Sequence, residues 1–211
     1  MRVFAWLIPC VLAVAAGTST AQPQSIAPED ATAATRAVNR AALAELPMGD
    51  KQSFDDARRG MIEALGDQVV KGTGGRPAWS LQGYAFLDKE EAPDTVNPAL
   101  WRHARVNMAN GLFKVADRVY QVRGLDLTNL TIVEGDTGLI VTDALVTMEA
   151  AKAAMDLYYK HRPRKPVVAM IYSHSHADHY GGARGVLPRR RDRFLPRRST
   201  TRIVSAPMPH R

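Results

Sequence analysis

One short stretch constrains this chain more than any other. The apolar run KPVVAMIY, residues 165–172, leads directly into SHSHADH, which places His174, His176, Asp178 and His179 within six positions. Before it, TMEAAKAAMDLYYKH has the spacing of a helix and GLIVTDAL that of a strand. Strand, helix and strand form a parallel crossover unit, so we expect the apolar run to be a central, buried strand of an α/β fold.

The polar cluster after that strand suits a metal ion. Outside Cys10 the chain has no cysteine, so a metal must be held by imidazole and carboxylate groups, which suits zinc. Side chains at i, i+2 and i+4 share one side only on extended chain, so we expect the cluster on the loop that leaves the strand, with Gly181 and Gly182 allowing a tight turn. The alternative is a solvated polar loop or a helix cap, but three histidines and an aspartate favour the metal.

The N-terminus has the pattern of an export signal. Arg2 precedes the apolar run VFAWLIPCVLAVAAG, and small residues follow at Ser19–Ala21. We expect residues 1–21 to be a signal peptide, the mature chain to begin near Gln22, and the protein to be periplasmic or secreted, without a membrane span. Lipid attachment at Cys10 is the alternative, but Pro9 fits such a site badly.

The basic character of the chain is confined to its end. The last 24 residues hold eight arginines and one aspartate, which accounts for the whole formal net charge of +7. Residues 1–187 are therefore neutral overall, and we expect no nucleic acid partner. The arginine and proline pattern after Pro188 lacks periodicity, so we expect residues 188–211 to be disordered and to follow a shift of reading frame; a basic tail for anionic surfaces is the alternative.

Three helices and several strands are expected before the histidines. PEDATAATRAVNRAALAEL predicts one helix that stops at Pro47, and Ser53 with Asp56 predicts a capping box for a second helix that includes Met61 and Leu65. Residues 79–111 show no sustained period and indicate irregular structure. Strands are expected in FKVADRVYQVRG, NLTIVEGD and GLIVTDAL, and a helix capped by Thr147 follows them.

The motif HSHADH reproduces the His-x-His-x-Asp-His motif of the metallo-β-lactamase superfamily. Together with LPMGDKQSFDDARRGMIEAL, EAPDTVNPALW, GLFKVADRVYQVRGLDLTNLTIVEGDTGLIV and MIYSHSHADHYGG, it resembles the linear alkylsulfatases over residues 46–187. The resemblance implies a truncated fold: residues 22–100 would form a helical and irregular segment, and residues 101–187 the N-terminal half of an αββα sandwich.

The resemblance also implies a site. His174 and His176 would bind one zinc, Asp178 and His179 a second, Asp178 would serve catalysis as well, and Asp143 would order the metal loop; an ordinary strand-end turn is the alternative for Asp143. The implied reaction is hydrolysis of alkyl sulfate esters such as dodecyl sulfate, in an enzyme that is a homodimer at full length.

Three hypotheses for function remain open. The chain is a zinc-dependent alkylsulfatase, another hydrolase of the superfamily, or a non-catalytic metal-binding fragment. His103, His161 and His210 are the remaining histidines, and no pattern links them to the cluster. With four donors for two zinc ions, we expect the chain as it stands to bind at most one zinc, weakly, to be inactive, and not to form the homodimer.

Overall fold

A computed structural model describes residues 29–66, 69–187 and 202–205. All elements in these ranges belong to the second of two units into which the chain divides, Ala31–Arg211. The predicted signal peptide, including Cys10, lies outside the described residues. Among the helices of the described ranges, none combines the length and the hydropathy that a membrane span requires.

Six helices and nine strands are described. The helices are α1 (Ala33–Glu45), α2 (Gln52–Arg58), α3 (Pro98–Asn107), α4 (Met148–His161), α5 (Ala177–Tyr180) and α6 (Ala183–Val186). The strands are β1 (Met61–Glu63), β2 (Val69–Lys71), β3 (Pro77–Ser80), β4 (Gly111–Ala116), β5 (Val119–Arg123), β6 (Leu130–Glu134), β7 (Leu139–Thr142), β8 (Val167–Tyr172) and β9 (Arg202–Ser205). Two short 3-10 turns span Thr73–Gly75 and Gln82–Asp88.

One mixed sheet carries the fold. Its strand order is β1-β4-β5-β6-β7-β8-β9, and β2 pairs with β3 separately. Pairing is antiparallel from β1 to β7, then parallel between β7 and β8 and between β8 and β9. The crossover β7–α4–β8 confirms the predicted unit, and β8 is paired on both sides, as expected for a strand inside the sheet.

The core lies between the sheet and α4. Sheet residues such as Ile132, Val141 and Met170 are fully buried, and α4 contributes Ala154 and Tyr158. Helix α4 begins where predicted, because Thr147 Oγ1 accepts a hydrogen bond from Ala150 N at 3.1 Å. The carboxyl ends of β7 and β8 therefore emerge side by side, and the predicted site follows β8.

The second predicted helix is wrong in its extent. Helix α2 ends at Arg58, and Met61–Glu63 is a strand that pairs with β4. Gly60 has φ +76°, and a Cβ there would lie 2.1 Å from the carbonyl oxygen of Lys114, so this close approach needs glycine. The predicted capping box is absent as well, because α2 already begins at Gln52 and Ser53 lies inside the helix. The backbone N–H of Gln52 donates instead to Asp50 Oδ1 at 2.8 Å.

Two further differences concern segments predicted to be irregular. Helix α3 lies within residues 79–111, and the side chain of its N-cap residue Asn97 accepts a hydrogen bond from Ala99 N. Strand β9 lies within the tail that was predicted to be disordered and pairs in parallel with β8. Strand pairing to an open sheet edge requires only backbone groups, so a segment without side-chain periodicity can supply it. The rest of the tail lies outside the described residues.

An ion pair between the buried Glu134 and the partly exposed Arg162 joins β6 to the end of α4. Glu134 accepts hydrogen bonds from Arg162 Nε and Nη2, both at 2.7 Å, and from Tyr158 Oη at 2.6 Å. The hydrogen bonds from Arg162 lower the pKa of Glu134 from its ordinary 4.5 to about 2, against the opposing effect of burial. This network holds α4 on the sheet at the end remote from the carboxyl edge of β8.

We predict that Glu134→Gln lowers the free energy of unfolding by about 1–2 kcal/mol near neutral pH, because Arg162 loses its charged partner while solvent already screens its side chain, which is 36% exposed. A carboxyl with a depressed pKa contributes stability above its unfolded pKa. The loss should therefore be complete above about pH 4.5 and shrink as the pH falls toward 2. Urea unfolding across this range measures it, with Glu45→Gln on the exposed face of α1 as control. Equal pH dependence in both variants would contradict the assignment.

Candidate metal centre

The histidine loop, residues 173–182, leaves the carboxyl end of β8 as predicted. Ser173–His176 is not helical, and the short helix α5 begins at Ala177. His174 and His176 therefore share one side of a non-helical segment, whereas Asp178 and His179 lie on the first turn of a helix. The expectation that Asp178 would continue an extended chain is wrong, and the turn is what brings His179 back toward His174.

Four donor side chains meet on this loop as two pairs. His174 Nε2 lies 3.0 Å from His176 Nδ1, and His179 Nε2 lies 3.3 Å from Asp178 Oδ2. The rings of His174 and His179 join the pairs, with centroids 3.9 Å apart. These contacts lie within the set of residues that the resemblance assigned to the two metals, and the assignment itself stays a prediction.

The spacing within each pair can be compared with that of zinc ligands. Two ligand atoms about 2.05 Å from a tetrahedral zinc are about 3.3 Å apart. The two separations in the structure, 3.0 and 3.3 Å, are close to that value. Imidazole nitrogen and carboxylate oxygen are also ligand types that zinc accepts, so the donors present fit the metal in type and in pairwise spacing.

The set is incomplete for a metal centre. Among residues 29–66, 69–187 and 202–205, no group of three or more His, Cys, Asp and Glu side chains is arranged to hold a metal ion. The two remaining histidines in these ranges have other partners: His161 Nε2 lies 2.5 Å from Glu63 Oε2, and His103 Nε2 lies 3.2 Å from Asn107 Nδ2. His210 is outside the described residues.

Asp143 connects the end of β7 to the histidine loop. Its Oδ1 accepts a hydrogen bond from Ser173 N at 2.9 Å, and its Oδ2 lies 3.0 Å from His179 Nδ1. Burial raises the pKa of this carboxyl, but the hydrogen bonds from Ser173 and His179 outweigh burial and leave the pKa below its ordinary value. When Nδ1–H donates to Asp143, the Nε2 lone pair of His179 is left facing Asp178.

The two glycines of the loop are required for space. Gly181 has φ −58° and Gly182 has φ −82°, values that other residues adopt. A Cβ on Gly181 would lie 2.1 Å from the carbonyl oxygen of Val146, and one on Gly182 would lie 2.1 Å from that of Ala144. We expected glycine at these positions because the chain would need an unusual backbone turn, and that reason is wrong. Glycine is needed because the β7–α4 connection lies too close to leave room for a side chain.

Two residues missed in the sequence also contact this region. Asp126 is buried, and its carboxylate accepts hydrogen bonds from the backbone of Leu127 at 2.5 Å and of Val146 at 2.7 Å. Burial raises the pKa of Asp126, and the nearby charge of Asp178 adds to that effect. Thr128 Oγ1 donates to the carbonyl oxygen of Asp178 at 2.8 Å. Some 50 residues separate this pair from the loop, so no local spacing could have revealed them.

We predict that Asp143→Asn lowers the free energy of unfolding by about 1–3 kcal/mol, because an amide cannot accept from both Ser173 N and His179 Nδ1. Asparagine tolerates the φ of +57° at this position, so the change tests hydrogen bonding rather than backbone strain. The ¹⁵N shifts of His179 should report a changed tautomer. Asp117→Asn, at an exposed surface position, is the matched control, and unchanged His179 shifts in Asp143→Asn would contradict the contact.

Comparison with known proteins places this geometry in a family context. The family model of the metallo-β-lactamase superfamily matches residues 123–198. A linear primary-alkylsulfatase of a Pseudomonas species is 55% identical over 158 residues, which are 74% of this chain and 23% of that protein. An (R)-specific secondary-alkylsulfatase, also of a Pseudomonas species, is 47% identical over 181 residues, or 84% of this chain and 27% of that protein.

A comparison with solved structures finds the same kind of relative. The stereoselective inverting sec-alkylsulfatase Pisa1 of a Pseudomonas species superimposes with a TM-score of 0.70 and 50% identity, over 75% of this chain and 25% of that one. The chain thus spans about a quarter of the length of the relatives it matches. It is similar, in sequence and in mixed α/β fold, to part of the alkylsulfatases of the metallo-β-lactamase superfamily, which confirms the predicted resemblance.

Proposed function

We propose that the histidine loop is part of a zinc centre that hydrolyses linear alkyl sulfate esters to alcohol and sulfate. The observation that carries this proposal is the pairing of four donors, His174 with His176 and Asp178 with His179, on a loop held against β7. Support for the substrate class comes from the relatives, which are named alkylsulfatases. The ligand would be a small molecule with a sulfate head and an apolar chain.

Each residue has a distinct role in this proposal. His174 Nε2 and His176 Nδ1 would hold one zinc, and Asp178 and His179 a second. Bound zinc supplies a Lewis acid that activates water near neutral pH and offsets the negative charge of a sulfate ester. Asp143 would keep the proton of His179 on Nδ1, so that Nε2 remains available.

The number of donors limits what the chain of 211 residues can do. Two catalytic zinc ions need about six protein ligands, and the histidine loop provides four. We therefore propose that this chain holds at most one zinc, weakly, that it does not turn over substrate, and that it does not form the homodimer that the resemblance implies at full length. The lack of a three-donor group among the described residues also favours a second candidate, a metal-binding fragment without activity.

We predict that replacing His174 and His176 by alanine abolishes metal uptake by this chain, because only one weak pair of donors remains. Equilibrium dialysis with zinc and the visible spectrum of bound cobalt measure it, and His103→Ala on α3 is the control. Retention of zinc by the double variant would contradict the ligand assignment. Tight binding of two zinc ions by the unaltered chain would contradict the donor count.

Activity is tested in a chimaera. Residues 1–187 joined to the downstream part of the primary-alkylsulfatase relative should take up two zinc ions and release sulfate from dodecyl sulfate. The same chimaera with His174 and His176 replaced by alanine should release sulfate at least about a hundredfold more slowly, because the metal has lost two ligands. A chimaera that binds two zinc ions but leaves dodecyl sulfate intact would favour another hydrolase of the superfamily.

We propose in addition that the protein is exported through residues 1–21. The charged start, the apolar run and the small residues at 19–21 support this. Periplasmic or secreted material should begin near Gln22 when its N-terminus is sequenced. Recovery of such material with Met1 in place would refute the signal.

A further inference from the structure

Helix α5 has an unusual hydrogen-bonding pattern. In a continuing helix the carbonyl of Asp178 would accept from the N–H of Gly182, four residues on. Here the N–H of Gly182 donates instead to the carbonyl of Leu145 at 2.8 Å. The Asp178 carbonyl is thereby released, and the hydroxyl of Thr128 donates to it at 2.8 Å. A side chain from the β5–β6 connection thus replaces a missing helix bond in the turn that carries Asp178.

The next carbonyl of α5, that of His179, also accepts a hydrogen bond from outside the helix. The carbonyl of His179 accepts from the N–H of Ala144 at 2.7 Å, so it too is bonded outside its own helix. The turn that carries the Asp178–His179 pair is therefore held from two sides. One side is the backbone of residues 144–146, and the other is Thr128.

Asp126 holds the first of these two sides. Its Oδ2 accepts from the N–H of Val146 at 2.7 Å, and its Oδ1 accepts from the N–H of Leu127 at 2.5 Å. The restraint matters because Leu145, next to Val146, has φ +65°, a conformation that costs free energy for a residue other than glycine. Both carboxylate oxygens are occupied by backbone donors, so Asp126 acts through the backbone that it fixes.

We propose that Asp126 and Thr128 form a positioning clamp that sets where the Asp178–His179 pair lies. Thr128 fixes the carbonyl of Asp178 directly, and Asp126 fixes the backbone against which the same turn rests. The effect of this clamp on metal binding depends on the zinc centre proposed above. The effect of the clamp on the mobility of the loop does not depend on zinc, so the two proposals can be tested separately.

The test compares Thr128→Val with Thr131→Val in the 211-residue chain. Valine keeps the shape of threonine and removes the hydroxyl. Thr131 lies three residues away on β6, and its hydroxyl accepts a hydrogen bond from Gln121 Nε2 of β5 at 3.1 Å. Thr128→Ser restores the hydroxyl and should restore the wild-type behaviour, which a packing role of the methyl group alone would not predict.

The first readout uses metal-free protein. Amide hydrogen exchange of His179 and Gly182 should speed up about tenfold in Thr128→Val, while exchange in β6 and β7 stays unchanged. Asp126→Asn, which removes one of two acceptors, should speed up exchange at Val146 and Gly182. Thr131→Val should leave the loop amides as they are. Unchanged loop exchange in Thr128→Val, or an equal increase throughout the sheet, would overturn the clamp.

The second readout is metal affinity, measured by cobalt titration against a competing chelator. Thr128→Val should weaken it about tenfold, as loss of a group that orients a metal ligand does, and Thr128→Ser should recover it. Cobalt affinity unchanged by Thr128→Val would overturn the link between clamp and metal. If the unaltered chain binds no cobalt, the proposed zinc centre fails in this chain, and the exchange experiment alone then decides whether the clamp exists.

Discussion

The structure around the site depends on one close approach between backbones, where the glycines of the histidine loop meet the β7–α4 connection. The carbonyl oxygens of Ala144 and Val146 occupy the space that side chains on Gly182 and Gly181 would need. Two backbone hydrogen bonds cross this contact, from Ala144 N to His179 and from Gly182 N to Leu145. Without it, the donors that follow β8 would be an exposed loop with no fixed geometry, because polar side chains in water gain little from approaching one another.

Carboxylates that are buried, as Glu134 and Asp126 are, or partly buried, as Asp143 is, have two different roles in this fold. Glu134 pairs with Arg162 at the end of α4, where a charged pair joins a helix to the sheet and contributes to stability. Asp143 and Asp126 lie at the other end and accept hydrogen bonds mainly from backbone and imidazole groups of the site region. These two carboxylates hold loops in place rather than helices. Their burial costs free energy, and the hydrogen bonds that they accept give the site its fixed geometry.

The donor geometry is consistent with a chain that spans about a quarter of its relatives' length: two donor pairs meet, while the described residues complete no group of three. The crossover β7–α4–β8 is local in sequence, so its contacts form within this chain, and the loop that follows β8 carries both donor pairs. Further ligands would have to come from other strands or loops, and none in the described ranges completes a group of three. The relatives are about four times as long as the matched region, which leaves ample chain to supply them.

The sequence by itself was sufficient for the features that depend on neighbours along the chain. The apolar run of β8, the Thr147 cap of α4 and the histidine spacing are each read within a few residues, and the structure contains all three elements. Tertiary structure alone decided that Met61–Glu63 leaves a helical pattern to pair with β4, and that Arg202–Ser205 pairs with β8, because an open strand edge offers backbone partners that override local preference. It also decided the contacts of Asp126 and Thr128, since their partners lie about 20 and 50 residues away and meet them only when the sheet has formed.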